Sequence, residues 1–381
     1  MNTHPIAALC RAQLRCFDLR GENEIMKKII LTGGGTAGHV TPNLALIPSL
    51  KAEGWEIHYI GTENGIERRL IEAVDGVTYH VIKSGKLRRY FDVRNFTDPF
   101  RVIAGSFQSA ALVKKIHPNI VFSKGGFVSV PVVYGAAASG VPVLIHESDM
   151  TPGLANRLSV PFARALCCTF PEAAAAAGKK GRVTGTPLRA ELFTGNRETG
   201  RRLFSLTDSR PVLMVVGGSS GAQAINRAVR ASLNQLTECF EVIHLCGKGN
   251  LDADCEGVKR YHQYEYLDED MRHAYACADV LISRAGSNTL CEILALKKPA
   301  LLIPYPKEAS RGDQILNARS FEQRGLAHVL MQEDMTPDTL LTAVVDTYKD
   351  RGRLIDAMER ESSSNGVANV MHLIHQYARK D

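Results

Sequence analysis

The chain carries one local pattern twice: a short apolar run, a glycine-rich loop and a segment with helical spacing. The first copy reads KKIILTGGGTAGHVTPNLAL from Lys27, and the second reads PVLMVVGGSSGAQAIN from Pro211. A buried strand that runs through a glycine loop into a helix opens a doubly wound α/β domain. The repeat therefore predicts two such domains, which suits a chain of 381 residues.

Other apolar runs alternate with longer amphipathic segments, as in a parallel βα wind. Strands are predicted at KKIILT, WEIHYI, NIVF, PVLIH, RALCCTF, PVLMVV, FEVIHLC, KRYHQYEYL, DVLIS, PALLIPY and AHVLM, and helices over 42–53, 99–116 and 131–139. The predicted fold class is α/β, with two Rossmann-like, doubly wound parallel-sheet domains that face a cleft.

Composition narrows the class of protein. A net charge of +6 is a modest excess that fits an anionic partner but not a nucleic-acid binder. Nine cysteines without a Cys-x-x-Cys pair predict neither a disulfide framework nor a zinc site. Asp252 and Asp254 have the spacing of an Asp-x-Asp metal-binding motif, but they lie in a polar loop where solvated side chains are the simpler interpretation. We therefore expect no metal.

The first 25 residues lack the sustained apolar core of a signal peptide. The following MKKIILTGG has the form of a natural beginning, because a methionine and two lysines lead directly into a buried strand. We therefore interpret residues 1–25 as an N-terminal extension and Met26 as the biological start.

Gly33, Gly35 and Gly38 have the spacing of a dinucleotide-binding loop. A proline at position 42 is incompatible with a helix that begins inside that loop, so the predicted helix starts at Pro42 with Thr41 as its cap. Only Glu63 follows the second strand as a partner for a ribose. These objections disfavour a nicotinamide enzyme.

The loop remains suited to phosphate, because backbone N–H groups converge near a helix N-terminus. Similar loops occupy 123–131 and 217–223. Three such loops at equivalent places, each between a strand and a helix, predict that several phosphate groups bind in one cleft. Simple turns would also explain the glycines.

Seven segments, in order, resemble the MurG family of GT-B glycosyltransferases (family 28). They are TGGGTAGHVTPNLAL, SKGGFVSVP, HESDMTPGLANR, TGTPLR, GGSSGAQAIN, SRAGSNTLCEI and RGDQILNARSF. The resemblance implies transfer of N-acetylglucosamine from UDP-N-acetylglucosamine to the muramyl 4-hydroxyl of lipid I, with inversion, to make lipid II in peptidoglycan synthesis. A related diacylglycerol glycosyltransferase and a non-catalytic UDP-sugar-binding module are the alternatives.

The resemblance also implies a division of labour. Residues 26–185 would bind lipid I and the membrane, 186–365 would bind UDP-N-acetylglucosamine, and 366–381 would form a helix that packs back on the N-terminal domain. No cofactor is implied. The expected location is the cytoplasmic face of the plasma membrane, as a peripheral protein.

The resemblance assigns donor-binding roles at both ends of the cleft. Glu292 would bind the ribose hydroxyls, whereas its spacing from Thr289 also fits a capping box. Arg189 would neutralise the diphosphate, and Tyr266 and Leu267 would border the uracil. The remaining donor residues are Thr36, Gly218, Ser219, Ser287, Asn288, Thr289 and Gln314, and the acceptor pyrophosphate loops are Gly34, Gly35, Gly125 and Gly126.

The candidate catalytic residues are His39, Glu147 and Asp149. His39 is a candidate base or pyrophosphate ligand, and Asp149 is the alternative base. Many relatives have Gln-Asn where this chain has Ser148-Asp149, so an amide contact to substrate at this position is in question.

A basic and aromatic segment over 84–101 suits an anionic bilayer surface. The predicted membrane patch consists of Leu87, Arg88, Arg89, Phe91, Phe96 and Phe100. The alternative is that the phenylalanines belong to the core and the charges to a solvated face.

Overall fold

The computed structural model describes residues 26–85, 94–206, 209–217, 222–307, 312–361 and 365–380. For residues 94–99 it describes the backbone alone. The described residues form two parallel sheets, each flanked by helices. The predicted fold class, two Rossmann-like domains, is confirmed.

The first sheet has the strand order β3-β2-β1-β4-β5-β6-β7. Its strands are β1 (Lys28–Thr32), β2 (Glu56–Gly61), β3 (Val77–Val81), β4 (Ile120–Ser123), β5 (Val143–Glu147), β6 (Ala165–Cys168) and β7 (Gly181–Val183). Its α-helices are α1 (Thr41–Ala52), α2 (Ile66–Glu72), α3 (Arg94–Ile116), α4 (Ser129–Ala138), α5 (Leu154–Ser159) and α6 (Pro171–Ala176).

The second sheet has the order β10-β9-β8-β11-β12-β13. Its strands are β8 (Val212–Val216), β9 (Glu241–Leu245), β10 (Tyr261–Tyr264), β11 (Val280–Ser283), β12 (Ala300–Leu302) and β13 (His328–Val329). Its helices are α7 (Arg197–Leu203), α8 (Gln223–Ala231), α9 (Leu233–Cys239), α10 (Met271–Cys277), α11 (Ser287–Ala295), α12 (Asp313–Gln323), α13 (Pro337–Lys349) and α14 (Arg351–Arg360).

Short 3₁₀ turns lie between these elements, at Ala37–His39, Val160–Phe162, Gly178–Lys180, Ala190–Thr194, Ala253–Cys255 and Gln332–Asp334. Each predicted strand is present. Two strands, β3 and β7, were not predicted, because they lie at the edges of the sheet and are only partly buried. Helix α3 begins at Arg94, earlier than the predicted residue 99.

The last helix, α15 (Gly366–Tyr377), packs on the first domain. Val370 and Ile374 are buried in the same apolar cluster as Leu46 and Trp55, and the His375 ring lies 2.7 Å from the Glu53 carboxylate. The domains also meet directly where Phe170 packs edge-on against Phe321, at 6.2 Å between ring centroids. The chain therefore passes from the first domain to the second and returns to the first with α15.

Candidate functional site

The first part of the cleft lies where the direction of winding reverses, between β1 and β4. In open parallel sheets, the loops that leave the carboxyl ends of such neighbouring strands diverge and leave a crevice for ligands. Here the two loops touch: a Cβ added at Gly126, whose φ is +82°, would lie 2.2 Å from the Gly34 carbonyl oxygen. Only glycine fits this position, which explains why both loops are glycine-rich.

The loop after β1 already holds a carboxylate of this chain. The buried Glu67 accepts hydrogen bonds from the Gly35 N–H at 3.2 Å and from the Thr62 hydroxyl at 2.6 Å. The Gly35 N–H is therefore occupied in this arrangement, and the pyrophosphate role of Gly34 and Gly35 stays a prediction. Sequence reasoning considered only Glu63 as an acidic neighbour and missed Glu67, which lies in the following helix.

The segment after this loop forms the 3₁₀ turn Ala37–His39 and then α1. The Nδ1 atom of His39 lies 2.9 Å from Thr36 Oγ1. The helix begins at Thr41 with a proline in its first turn, as predicted to within one residue. The predicted cap is wrong, because the Thr41 hydroxyl donates backward to the Ala37 carbonyl at 3.0 Å.

Glu147 ends β5 and shapes the loop that follows. Its buried carboxylate accepts from the Asp149 N–H at 3.1 Å, the Gly153 N–H at 3.0 Å and the Asn156 amide at 2.9 Å. Burial raises the pKa of Glu147, and the hydrogen bonds from Asp149 and Asn156 oppose that rise. These contacts suit a residue that fixes the loop, and a direct catalytic role for Glu147 stays a prediction.

Asp149 connects the two domains. The buried Asn317, on α12, donates to Asp149 Oδ1 at 3.3 Å and accepts from the Met150 N–H at 3.4 Å. The Thr151 hydroxyl donates to Asp313 at 2.6 Å. Sequence reasoning missed Asn317, because its partners lie in the other domain and no local pattern signals them.

A cavity of about 430 Å³ lies at this contact. It is lined by Asp149, Gly286, Ser287, Asn288, Thr289, Asp313 and Gln314. One candidate catalytic residue thus shares a cavity with four of the candidate donor residues. Gly125, Gly126 and His39 belong to the loops on the first-domain side.

The second-domain side of this cavity, where donor binding was predicted, is the N-terminus of α11. The helix begins at Ser287 with Gly286 at the cap position, and no side chain caps it. The capping-box interpretation of Thr289 is therefore wrong. Uncapped N–H groups at a helix N-terminus bind anions well.

Glu292 lies one turn further along α11, partly buried. It accepts a hydrogen bond from the Tyr275 hydroxyl at 2.7 Å. Burial raises its pKa, while the Tyr275 hydrogen bond and the positive charge of Arg189 oppose the rise. Glu292 and Arg189 are therefore electrostatic neighbours.

Arg189 is exposed and lines a second cavity, of about 1170 Å³, between α1 and the second domain. Asp268 lines the same cavity, next to Leu267, which is buried; Tyr266 is exposed. The Gln314 side-chain oxygen accepts from the Tyr305 N–H at 3.2 Å. Gly218 and Ser219 lie outside the described residues.

Arg284 is a structural residue of the site that sequence reasoning missed. Its buried guanidinium donates to the carbonyls of Ile303 and Pro304 and lies 4.0 Å from the Tyr305 ring centroid. It therefore holds the segment that in turn binds Gln314. The arginine follows β11 directly, so its position after a predicted strand was the available signal.

Most of the predicted membrane patch, Leu87, Arg88, Arg89 and Phe91, lies outside the described residues, as does the side chain of Phe96. Phe100 is 73% exposed, so the core interpretation is wrong for this residue. Ile103 and Phe107 follow it on α3 at helical spacing and are also exposed. Over the described part of the chain, helices that could span a bilayer are absent.

The described residues contain no group of three or more His, Cys, Asp or Glu side chains arranged to hold a metal ion. Asp252 instead accepts from the Asp254 N–H at 3.1 Å and begins a 3₁₀ turn. The formal acidic motif thus has a local structural role.

Comparison with known proteins identifies the family. Residues 29–167 match the glycosyltransferase family 28 N-terminal domain, and 212–374 match the family 28 C-terminal domain. Curated relatives from Clostridium kluyveri and Lachnospira eligens are each 54% identical over 92% of this chain, which spans 100% and 99% of their lengths. Both are named UDP-N-acetylglucosamine--N-acetylmuramyl-(pentapeptide) pyrophosphoryl-undecaprenol N-acetylglucosamine transferase.

The solved structure of Acinetobacter baumannii MurG is similar throughout, with a TM-score of 0.75 and 25% identity over 92% of this chain and 99% of that one. The same family is indicated by two relatives of high identity, by both family domains and by the shared two-domain architecture. The chain belongs to glycosyltransferase family 28 and, within it, to the MurG family.

Proposed function

We propose that this protein transfers N-acetylglucosamine from UDP-N-acetylglucosamine to the muramyl 4-hydroxyl of lipid I, which yields lipid II and UDP. The family, the domain architecture and the names of the relatives support this activity. The observation that carries it is the cavity in which Asp149 of the first domain meets Ser287–Thr289 and Gln314 of the second.

In the proposed reaction, the acceptor oxygen attacks the anomeric carbon and inverts it. A base takes the hydroxyl proton, and the bond between the anomeric carbon and the diphosphate oxygen breaks, with its electron pair leaving on UDP. The base is Asp149 or His39. The N–H groups at the start of α11 and the Arg189 guanidinium stabilise the negative charge on the departing diphosphate.

Glu292 accepts hydrogen bonds from the ribose hydroxyls in this proposal, since a carboxylate has enough lone pairs for both hydroxyls and for Tyr275. The contact between Tyr275 and Glu292 holds the carboxylate in place. In this proposal the donor is held at the ribose and at the diphosphate, and its sugar occupies the cavity that Asp149 lines.

The test follows UDP release after the protein is mixed with UDP-N-acetylglucosamine and a short-chain lipid I analogue. UDP release should require the acceptor, and it should fall strongly when UDP-glucose replaces UDP-N-acetylglucosamine. A diacylglycerol acceptor is the matched control. Release with diacylglycerol but not with the lipid I analogue would contradict the proposed acceptor.

We also propose that the protein works as a peripheral protein at an anionic membrane surface on the cytoplasmic side, where a lipid-linked acceptor is accessible. The exposed face formed by Phe100, Ile103 and Phe107 on α3 supports this placement. Large apolar side chains exposed together commonly mark interaction surfaces.

The membrane proposal predicts cosedimentation with vesicles that contain phosphatidylglycerol, and weaker cosedimentation with vesicles of phosphatidylcholine alone. Replacing Phe100 and Phe107 by serine should reduce binding to both. Replacing Leu251, which is 52% exposed in the second domain, is the control. Equal binding by the two variants would contradict the assignment of this face.

A further inference from the structure

Asn317 is an asparagine on α12 to which neither a sequence motif nor a step of the reaction assigns a role. Its side chain is fully buried, behind the residues that line the cavity of about 430 Å³. A buried primary amide costs free energy unless its N–H groups and its carbonyl oxygen find hydrogen-bond partners. Here the partners belong to two different domains.

The Asn317 amide joins the first domain to the second. On the first-domain side, its Nδ2 atom donates to Asp149 Oδ1 at 3.3 Å, and its Oδ1 atom accepts from the Met150 N–H at 3.4 Å. On the second-domain side, the same Nδ2 atom donates to the Ala285 carbonyl at 3.2 Å. Ala285 directly precedes Gly286, the cap residue of α11. One planar group therefore connects the loop after β5 to the start of α11.

Asn317 shares a face of α12 with a second residue that contacts the first domain. Ser320 lies three positions further along the helix, is also buried, and donates to the Glu172 carboxylate at 2.8 Å. Glu172 is exposed on the short helix α6, whereas Asp149 lines the cavity. The two residues thus make the same kind of contact, but only that of Asn317 reaches the proposed site.

We propose that Asn317 is a positioning residue for sugar transfer: its side chain sets the separation between the loop at Asp149 and the start of α11. This proposal rests on the proposed function, in which the donor sugar occupies the cavity between these two segments. The acceptor oxygen must approach the anomeric carbon closely and in line with the breaking bond, so a small displacement of one segment costs much of the rate. The role is the same for either candidate base, because it concerns distance and not protonation.

The test replaces Asn317 by alanine. The change removes all three hydrogen bonds and leaves no buried charge without a partner. The value of kcat with the lipid I analogue should fall by about 10-fold to 100-fold. The affinity for UDP, measured by calorimetry without acceptor, should stay within about twofold, because the proposed UDP contacts are not touched.

Asn317→Ser is a second variant in case alanine impairs folding. Its hydroxyl can satisfy one of the buried partners, but it cannot bond all three at once. It should therefore show the same loss of kcat at an unchanged affinity for UDP.

Hydrogen exchange measured by mass spectrometry separates positioning from general disruption. The Met150 N–H loses its acceptor in Asn317→Ala, so a peptide that spans residues 147–153 should exchange faster than in the wild type. Peptides from α11 and α12 should exchange as in the wild type, because the backbone hydrogen bonds of these helices remain.

Ser320→Ala is the matched control. It removes a hydrogen bond between the domains from the same face of α12, but at a distance from the cavity residues. Its kcat, its affinity for UDP and the exchange of residues 147–153 should all match the wild type.

An unchanged kcat in Asn317→Ala, or an equal loss in Ser320→Ala, would overturn the proposal. So would a loss of kcat that comes with weaker UDP binding and faster exchange of α11 and α12, because Asn317 would then only support the second domain. Failure of the wild type to release UDP would instead overturn the proposed function, and the exchange measurement would still report whether Asn317 holds the loop.

Discussion

The two sides of the cleft are built differently. On the first-domain side, buried charged side chains form hydrogen bonds to the loops: Lys124 to Ser148, Glu147 to the 149–156 loop, and Glu67 to Gly35. On the second-domain side, Ser287–Thr289 are partly exposed at an uncapped helix N-terminus, beside an exposed Arg189. The first-domain side is therefore organised by contacts within the protein, whereas the second-domain side leaves polar groups open, as the proposed binding of the nucleotide sugar there requires.

Substitutions on the two sides of the cleft should therefore have different effects. On the first-domain side, a small change disturbs contacts within the protein and should lower both stability and activity. On the second-domain side, the same kind of change should lower donor affinity and leave the fold intact.

The largest effect is expected for Gly126→Ala. The added Cβ would lie 2.2 Å from the Gly34 carbonyl oxygen, at a φ of +82°. We expect the free energy of unfolding to fall by about 3 kcal/mol, because both strain and a backbone clash are introduced. Urea denaturation measures it.

Gly286→Ala is the matched control on the other side of the cleft. Gly286 has a φ of −71°, and an added Cβ would meet no atom within 4 Å. Its stability should change by less than about 1 kcal/mol. Equal destabilisation of the two variants would remove the proposed difference between the two sides.

The next effect is expected for Glu292→Gln. The substitution removes a charged acceptor from the ribose, which should lower kcat/KM for UDP-N-acetylglucosamine by about 10-fold to 100-fold. The melting temperature should change little. An unchanged kcat/KM would contradict the ribose role and favour a purely structural contact with Tyr275.

The pH dependence of donor binding sharpens this prediction. Burial raises the pKa of Glu292, so its carboxyl is protonated at a higher pH than an ordinary glutamate. A protonated carboxyl accepts hydrogen bonds less well, so donor affinity should fall as pH falls through this raised pKa. Calorimetric titrations at a series of pH values should show the fall in the wild type and its absence in Glu292→Gln.

The smallest effect is expected for metal removal. The proposed donor clamp uses Arg189 and backbone N–H groups and needs no cation. EDTA should therefore leave kcat/KM unchanged. A loss of activity that Mg²⁺ or Mn²⁺ restores would contradict the proposed clamp, because it would show that a bound cation neutralises the diphosphate.

The strands of the fold were predictable, because runs such as VLMVV and KIILT are apolar on both faces, as buried parallel strands require. The edge strand Val77–Val81 was not, because its residues are only partly buried and alternate weakly. The glycine loops were predictable from their spacing. The tight contact between Gly126 and Gly34 depends on two strands that are neighbours only in the folded sheet.

The site was predictable only in part. Asp149, Ser287–Thr289 and Gln314 were all identified from motifs, and they line one cavity. Glu67, Lys124 and Asn317 were missed, because each acts through a partner that is distant in sequence. Thr41 was misread as a cap because a threonine before a proline has the right sequence, whereas its hydroxyl bonds backward into the 3₁₀ turn.

The most direct test of the account is the mass and linkage of the lipid product. After incubation with UDP-N-acetylglucosamine, the lipid I analogue should gain one N-acetylhexosamine on the muramyl 4-oxygen, with the β configuration that inversion of the α-linked donor produces. An α linkage, a sugar on another hydroxyl, or UDP release with the acceptor unchanged would contradict it.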